Sequence, residues 1–135
     1  MKVLAVDFGS KRIGLAVGNS QTRVATPLGQ IAAGKHENVL AQILKRVGEF
    51  EIGHIVVGYP LHADGSRSRT CGQVDRFVRF LRKRIDLPVT LVDERLSSFE
   101  AGEMAGEVEG DFRKRKKFLD SMAALVILQN YFAQP

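Results

Sequence analysis

Hydrophobic and polar positions along this chain follow first a strand-like pattern and then a helical one. Lys2 to Phe8 is an apolar, β-branched run that reads as a buried strand, and Ile13 to Asn19 reads as its hairpin partner. Val24 to Ala33 is a third extended stretch. Pro27 interrupts it, and because proline cannot donate to a ladder, this predicts an edge strand or a bulge. The period then becomes helical over Glu37 to Phe50, where Val39, Leu40, Ile43, Leu44, Val47 and Phe50 share one face. Gly53 closes the connection after that helix, and His54 to Val57 is a short buried strand ending at Gly58-Tyr59-Pro60.

The segment from Leu61 to Gly72 is polar and rich in turn formers, which predicts a loop. A second amphipathic helix follows over Gln73 to Ile85, with Val74, Phe77, Val78, Leu81 and Ile85 inward and Arg76, Arg79 and Lys83 outward. Pro88 introduces a strand over Val89 to Val92 that ends at Asp93-Glu94-Arg95. Ser97 or Ser98 can cap a following helix, Gly106 to Asp111 reads as a loop, and Leu119 to Phe132 is a final helix apolar nearly all round. Three meandering strands followed by alternating helices and strands define an α/β fold. Its five strands form a mixed sheet with helices on both faces. In such sheets, ligands bind beyond the strand ends.

The chain has 135 residues, the length of a single domain, and no internal repeat or linker divides it. Its longest apolar run, Met122 to Leu128, is far shorter than the roughly 20 residues a membrane span requires. Asp7 interrupts any signal-peptide core. The lone cysteine, Cys71, excludes an internal disulfide and fits a reducing, cytoplasmic setting. A net charge of +5 favours a polyanionic partner, of which nucleic acid is the commonest.

Three acidic positions stand out against this framework. Asp7 ends the first strand, Asp93 and Glu94 end the last, and Asp120 lies on an apolar stripe with Ala123, Ala124 and Ile127. Each has a structural explanation: a turn acceptor at Asp7, an ion pair with Arg95 for Asp93 or Glu94, and a helix cap at Asp120. Taken together, three converging carboxylates would repel one another, and a divalent cation removes the conflict. Oxygen ligands without His or Cys select Mg²⁺ or Mn²⁺, ions that support phosphodiester cleavage. The run Arg113-Lys114-Arg115-Lys116-Lys117 precedes the final helix, where cations oppose the dipole, so phosphate binding is a better reason for it than helix stability. A solvated basic linker is the alternative. Lys11, Arg12, Arg67, Arg69 and Arg95 fall on loops at the same predicted end of the sheet. His62 is a loop histidine, and the Arg76, Arg79 and Lys83 stripe reads as a solvated helix face.

Four segments, in order over nearly the whole chain, resemble the YqgF family, also called RuvX, of small bacterial proteins with an RNase H-like fold. They are Val6-Asp-Phe-Gly-Ser-Lys-Arg-Ile-Gly-Leu-Ala-Val17, Ile55-Val-Val-Gly-Tyr-Pro-Leu-His-Ala-Asp-Gly-Ser66, Val92-Asp-Glu-Arg-Leu-Ser-Ser98 and Lys117-Phe-Leu-Asp-Ser-Met-Ala-Ala-Leu-Val-Ile-Leu-Gln129. The resemblance implies a nuclease that processes the 5′ end of precursor 16S ribosomal RNA. The family has also been proposed to resolve Holliday junctions. Carried over by motif, the resemblance makes Asp7, Glu94 and Asp120 the acids of the site. Tyr59 stands where the family usually has Leu, His62 where Asn is common, and Ser97 and Ser98 where Thr is usual.

The leading expectation is a Mg²⁺- or Mn²⁺-dependent hydrolase of structured RNA, acting on free RNA or on a pre-ribosomal particle. Asp7, Glu94 and Asp120, with Asp93 in reserve, would hold the metal. Lys11, Arg12, Arg67, Arg95 and Arg113 to Lys117 would grip the backbone. The chain would act as a monomer or weak homodimer. The alternatives are a four-way DNA junction as substrate, a non-catalytic nucleic-acid-binding module, and an actin-like or sugar-kinase ATPase. The last of these needs two such domains around its nucleotide.

Overall fold

The structure is a computed structural model that describes residues 1–94 and 112–134. In chain order the elements are β1 (Lys2–Phe8), β2 (Arg12–Asn19), β3 (Ala25–Ala32), α1 (His36–Phe50), β4 (Ile52–Tyr59), α2 (Arg69–Arg84), β5 (Val89–Asp93), α3 (Phe112–Asp120) and α4 (Met122–Ala133). The sheet order is β3-β2-β1-β4-β5. β1 pairs antiparallel with β2 and β2 with β3, whereas β4 is parallel to both β1 and β5. This is the mixed five-stranded sheet that the sequence pattern predicts.

The two faces of the sheet are built from different residues of the same strands. Leu4 and Val6 of β1 join Ile13, Leu15 and Val17 of β2 in the core beneath α1 and α2, with Val39, Ile43, Val74 and Phe77. Val3 and Ala5 face the other way with Ala16, Val56 and Val92, against Ala124, Leu125, Ile127 and Leu128 of α4. Alternation along β2 is therefore strict in size. Ile13, Leu15 and Val17 face α1 and α2, whereas Gly14, Ala16 and Gly18 face α4. With so little side chain beneath it, α4 rests close to the β2 backbone. A Cβ on Gly18 would come within 2.9 Å of the Phe132 ring and 3.2 Å of Leu128.

β3 is an edge strand with a bulge, as Pro27 predicts. Ala16 pairs with Pro27 and Leu15 with Gly29, so Leu28 is the extra residue. Gly29 takes φ +83°, a backbone that favours glycine.

Several elements depart from the sequence reading. Leu44 belongs to the apolar stripe of α1 yet is 46% exposed, because only Val39 and Ile43 of that helix are fully covered. The helix ends at Phe50, as expected, with Glu51 as its cap in the left-handed region at φ 54°; Gly53 does not close the connection but lies inside a β4 longer than expected. α2 begins at Arg69, four residues before the expected start, because Gly72 is accommodated in the helix with open space around it. The single final helix is instead two, α3 and α4, broken at Ser121. The proposed cap at Ser97 or Ser98 and the loop over 106–111 lie outside the described residues. Among the described residues no helix is long and apolar enough to cross a membrane.

Candidate active site

Strand alternation puts Val3, Ala5 and Asp7 on the face that α4 covers, and Asp7 emerges at the open end of that face. Phe8 turns to the opposite face and stacks on Phe77 with ring centroids 4.8 Å apart. The register partner of Asp7 is Gly14. Burial pushes the Asp7 carboxyl above its usual range, since desolvation disfavours the charged form.

Glu94 follows β5, and its N–H donates to the Tyr59 carbonyl at 3.4 Å. Its side chain lies over Gly58 of β4. A Cβ there would collide with Glu94 Oε2 and stand 2.5 Å from Ile127 Cδ1. Val6 pairs with Val57, so Asp7 and Gly58 are the next level up on neighbouring strands. The absence of a side chain at Gly58 lets the longer Glu94 side chain lean across β4 toward Asp7. The electrostatics agree with this placement. The Glu94 carboxyl is pushed up to about 7, first by burial and then by the negative charges of Asp7 and Asp93. Asp93 is one residue back on the pleat and shares the α2 face with Leu91. Its carbonyl accepts a bond from Asn130 Nδ2 at 3.4 Å. Of the two strand-end acids, Glu94 is therefore the one on the Asp7 face.

Asp120 does not open the final helix, as its sequence position suggests. It is the last residue of α3, half-buried at the break before α4. Its main chain is held tightly: a Cβ on Gly14 would be 3.2 Å from the Asp120 carbonyl oxygen and 3.6 Å from Asp7 Cβ. Gly14 is thus the gap into which both Asp7 and the Asp120 backbone fit. Ser121 pins the break to the sheet. It is fully buried, and its Oγ accepts the Gly29 N–H at 2.6 Å and donates to the Gly29 carbonyl at 3.3 Å. The sequence reading missed Ser121, because a serine before an apolar run looks like an ordinary helix residue. The structure couples Asp7 with Glu94 and brings the Asp120 backbone to the Gly14 gap on the Asp7 side. Among the described residues no three acids close into one metal cluster.

The predicted cations divide between several places. Lys11, in the β1–β2 turn, and Arg12, the first residue of β2, are exposed close after the Asp7 strand end. Arg113, Lys114, Arg115, Lys116 and Lys117 are exposed on α3 itself, and so do not form a linker before a helix. α3 ends at Asp120 and packs along β3. Arg67 is ion-paired with Asp75, which also accepts the Tyr59 hydroxyl at 3.2 Å, so its charge is committed on the α2 side. Arg95 lies outside the described residues. His62 is exposed in a turn closed by Ser66 donating to Asp64. Cys71 is buried, with its Sγ donating to the Pro60 carbonyl at 3.6 Å.

Five strands in this mixed order, with Asp7 near the end of β1 and Glu94 after β5 facing each other across β4, form an RNase H-like fold of the RuvC type, and solved structures share the architecture. The Thermus thermophilus RuvC structure superimposes with a TM-score of 0.60 at 15% identity, covering 97% of this chain and 95% of that one. The fowlpox virus Holliday junction resolvase also gives 0.60, at 11% identity and 98% of each chain. Within that class the chain belongs to the RuvX family, whose model, described as "Holliday junction resolvase", matches residues 1–134. A Maridesulfovibrio salexigens protein named "Putative pre-16S rRNA nuclease" is 41% identical over 134 residues, 99% of both chains. A Dechloromonas aromatica protein of the same name is 41% identical over 133 residues, covering 98% of this chain and 91% of that one.

Proposed function

We propose that this chain is a divalent-metal-dependent nuclease that hydrolyses phosphodiester bonds in precursor 16S ribosomal RNA during ribosome biogenesis, acting at its 5′ end. The substrate rests on the names of the full-length relatives. The chemistry rests on one observation: Asp7 and Glu94 are half-buried on one face, and the charge of Asp7 raises Glu94. Two carboxylates held together against their own repulsion form a site that favours a cation. Their donor set is oxygen only, which fits Mg²⁺ or Mn²⁺ and disfavours Zn²⁺. Asp7 and Glu94 would hold the ion, with Asp120 as the third ligand.

When bound, such an ion activates water for attack and stabilises charge on the leaving oxygen. The chain's own residues would supply the remaining requirements. Gly58 and Gly14 leave the carboxylates room to approach. Ser121 fixes the segment that carries Asp120. Lys11, Arg12 and the α3 cations Arg113 to Lys117 would take the phosphates flanking the scissile bond. Arg95, next to Glu94 in sequence, belongs to the same proposed grip.

The test is Asp7→Asn assayed on precursor 16S RNA with Mn²⁺ and with EDTA. The change should abolish cleavage, as should EDTA. Undiminished cleavage by the variant would refute the site assignment. The family description favours a second substrate, the four-way DNA junction. Running it beside the RNA decides between them, with faster cleavage of the RNA expected.

A further inference from the structure

Beyond the acidic site, one helix carries a charge the catalytic reading does not use. α2 contains Arg69, Arg76, Arg79, Arg82, Lys83 and Arg84 against the single acid Asp75. That is six cations less one anion, a net +5 that equals the formal charge of the whole chain. The helix dipole accounts for Arg82, Lys83 and Arg84 in the last turn. It does not account for Arg76 and Arg79. Arg76, Arg79 and Arg82 follow one another at i+3, and Lys83 is at i+4 from Arg79. Like charges at these spacings destabilise a helix. A merely solvated face would relieve that repulsion with interspersed acids, and here the only acid, Asp75, is already engaged by Arg67 and Tyr59.

These cations also line a concavity. A cavity of about 310 Å³ lies between α2 and the edge strand β5, bordered by Asp75, Val78, Arg79, Arg82, Lys83 and Leu91. Arg82 is held in place there. Its Nε and Nη2 donate to the Val89 carbonyl at 3.3 and 2.7 Å, which leaves three of the five guanidinium N–H donors for a ligand. The groove runs antiparallel to the strand. One end, at Asp75 and Leu91, is near the level of Tyr59 and Asp93, beside the strand ends that carry the acids. The other end is at Arg82 and Val89, where β5 begins.

We propose that this groove binds the phosphodiester backbone of a nucleic-acid strand that continues past the acidic site along the β5 edge. The inference rests on the nuclease reading for its ligand, but its test does not require cleavage. The groove sets three cations and the free guanidinium donors of Arg82 beside the apolar Val78 and Leu91, a lining that suits the charged phosphates and the sugar faces of a sugar–phosphate chain. It is a second contact area, on the α2 side of the sheet, separate from α3.

The experiment measures binding of a short fluorescent single-stranded RNA by anisotropy, in EDTA, across a series of salt concentrations. The variant is Arg79→Ala with Lys83→Ala. The control is Lys35→Ala with Lys45→Ala, which removes the same charge from the N-terminal boundary and exposed face of α1. Losing two phosphate contacts should lower the slope of log K against log salt by about 1.4 and weaken binding about 25-fold at roughly 0.1 M salt. The control should change affinity less than about threefold by this counterion-release argument. Circular dichroism checks the fold, and the single variant Lys83→Glu provides an independent reading should the double variant unfold. Equal affinity and slope in variant and wild type overturn the proposal. So does a groove variant that keeps RNA affinity but loses binding to poly-glutamate, which assigns the groove to an acidic protein. A wild type that binds RNA through the groove yet cleaves nothing would refute the nuclease reading and leave the groove standing.

Discussion

Replacing Glu94 with glutamine should make the metal-free protein more stable at neutral and alkaline pH, not less. The Glu94 carboxyl has an ordinary value of 4.5 and is raised to about 7 in the fold. Below 4.5 the group is protonated in both folded and unfolded chains and contributes no pH dependence. Between 4.5 and 7 the unfolded chain releases the proton while the folded chain keeps it, so stability falls as pH rises. Above 7 both forms are ionised and the loss is complete. Each unit is worth about 1.4 kcal/mol, so the full shift corresponds to roughly 3 kcal/mol. Glu94 is partly exposed, and solvent screening reduces this to about 2 kcal/mol. Glutamine has the same shape and no charge, so the variant should avoid that loss. Urea unfolding of both proteins in EDTA, at a series of pH values from below 4.5 to above 7, gives the difference directly. Asp7 also lies above its usual range, but it is present in both proteins and largely cancels in the comparison. A difference that stays flat with pH, or a variant less stable than wild type above pH 7, would refute the burial and repulsion argument. Added Mn²⁺ should reverse the ranking, because only the wild type would then gain binding energy.

Two further predictions follow from close contacts. Gly58→Ala puts a methyl against Glu94 and Ile127 and should cost about 1–3 kcal/mol in a thermal or urea melt. The same change should displace Glu94, so calorimetric Mn²⁺ affinity should fall with it; a variant that keeps both stability and affinity would mean Glu94 does not lean across β4. Ser121→Ala leaves the buried Gly29 N–H without its acceptor and should cost about 1–3 kcal/mol. Threonine, which keeps the hydroxyl, should restore more of the cleavage rate than alanine does.

The strands and two of the acids were legible because each is encoded locally. A β-branched run that ends in Asp7, and another that ends at Asp93-Glu94, place carboxylates at strand ends whatever the rest of the chain does. Choosing Glu94 over Asp93 needs the pleat of β5 relative to α4, a tertiary fact. The break at Ser121 left no local signal. Neither glycine nor proline marks it, and the apolar run from Met122 continues the pattern of Phe118 and Leu119. What breaks the helix is a hydrogen-bonded pair with Gly29, 92 residues away. Asp120 was therefore assigned to the wrong end of a helix: it closes α3 and does not open the final helix. Gly72 produced the opposite error: it looks like punctuation and is helical interior, so α2 is longer than its pattern indicated. The basic face of α2 was visible as a stripe, but the concavity it lines against β5 depends on the strand order.

The alternation of large and small residues along β2 also constrains how the protein can fold. A slip of one residue between β1 and β2 would move Ile13, Leu15 and Val17 beneath α4 and leave Gly14, Ala16 and Gly18 to fill the opposite core. Neither layer could then close. Asp7 would lose the gap at Gly14, and the segment carrying Asp120 would have nowhere to dock. A mispaired hairpin would therefore lose both cores and the proposed metal site in the same event. Assembly of the proposed site is thus bound into the cooperative folding step itself, and a species with that hairpin out of place would hold its acids apart.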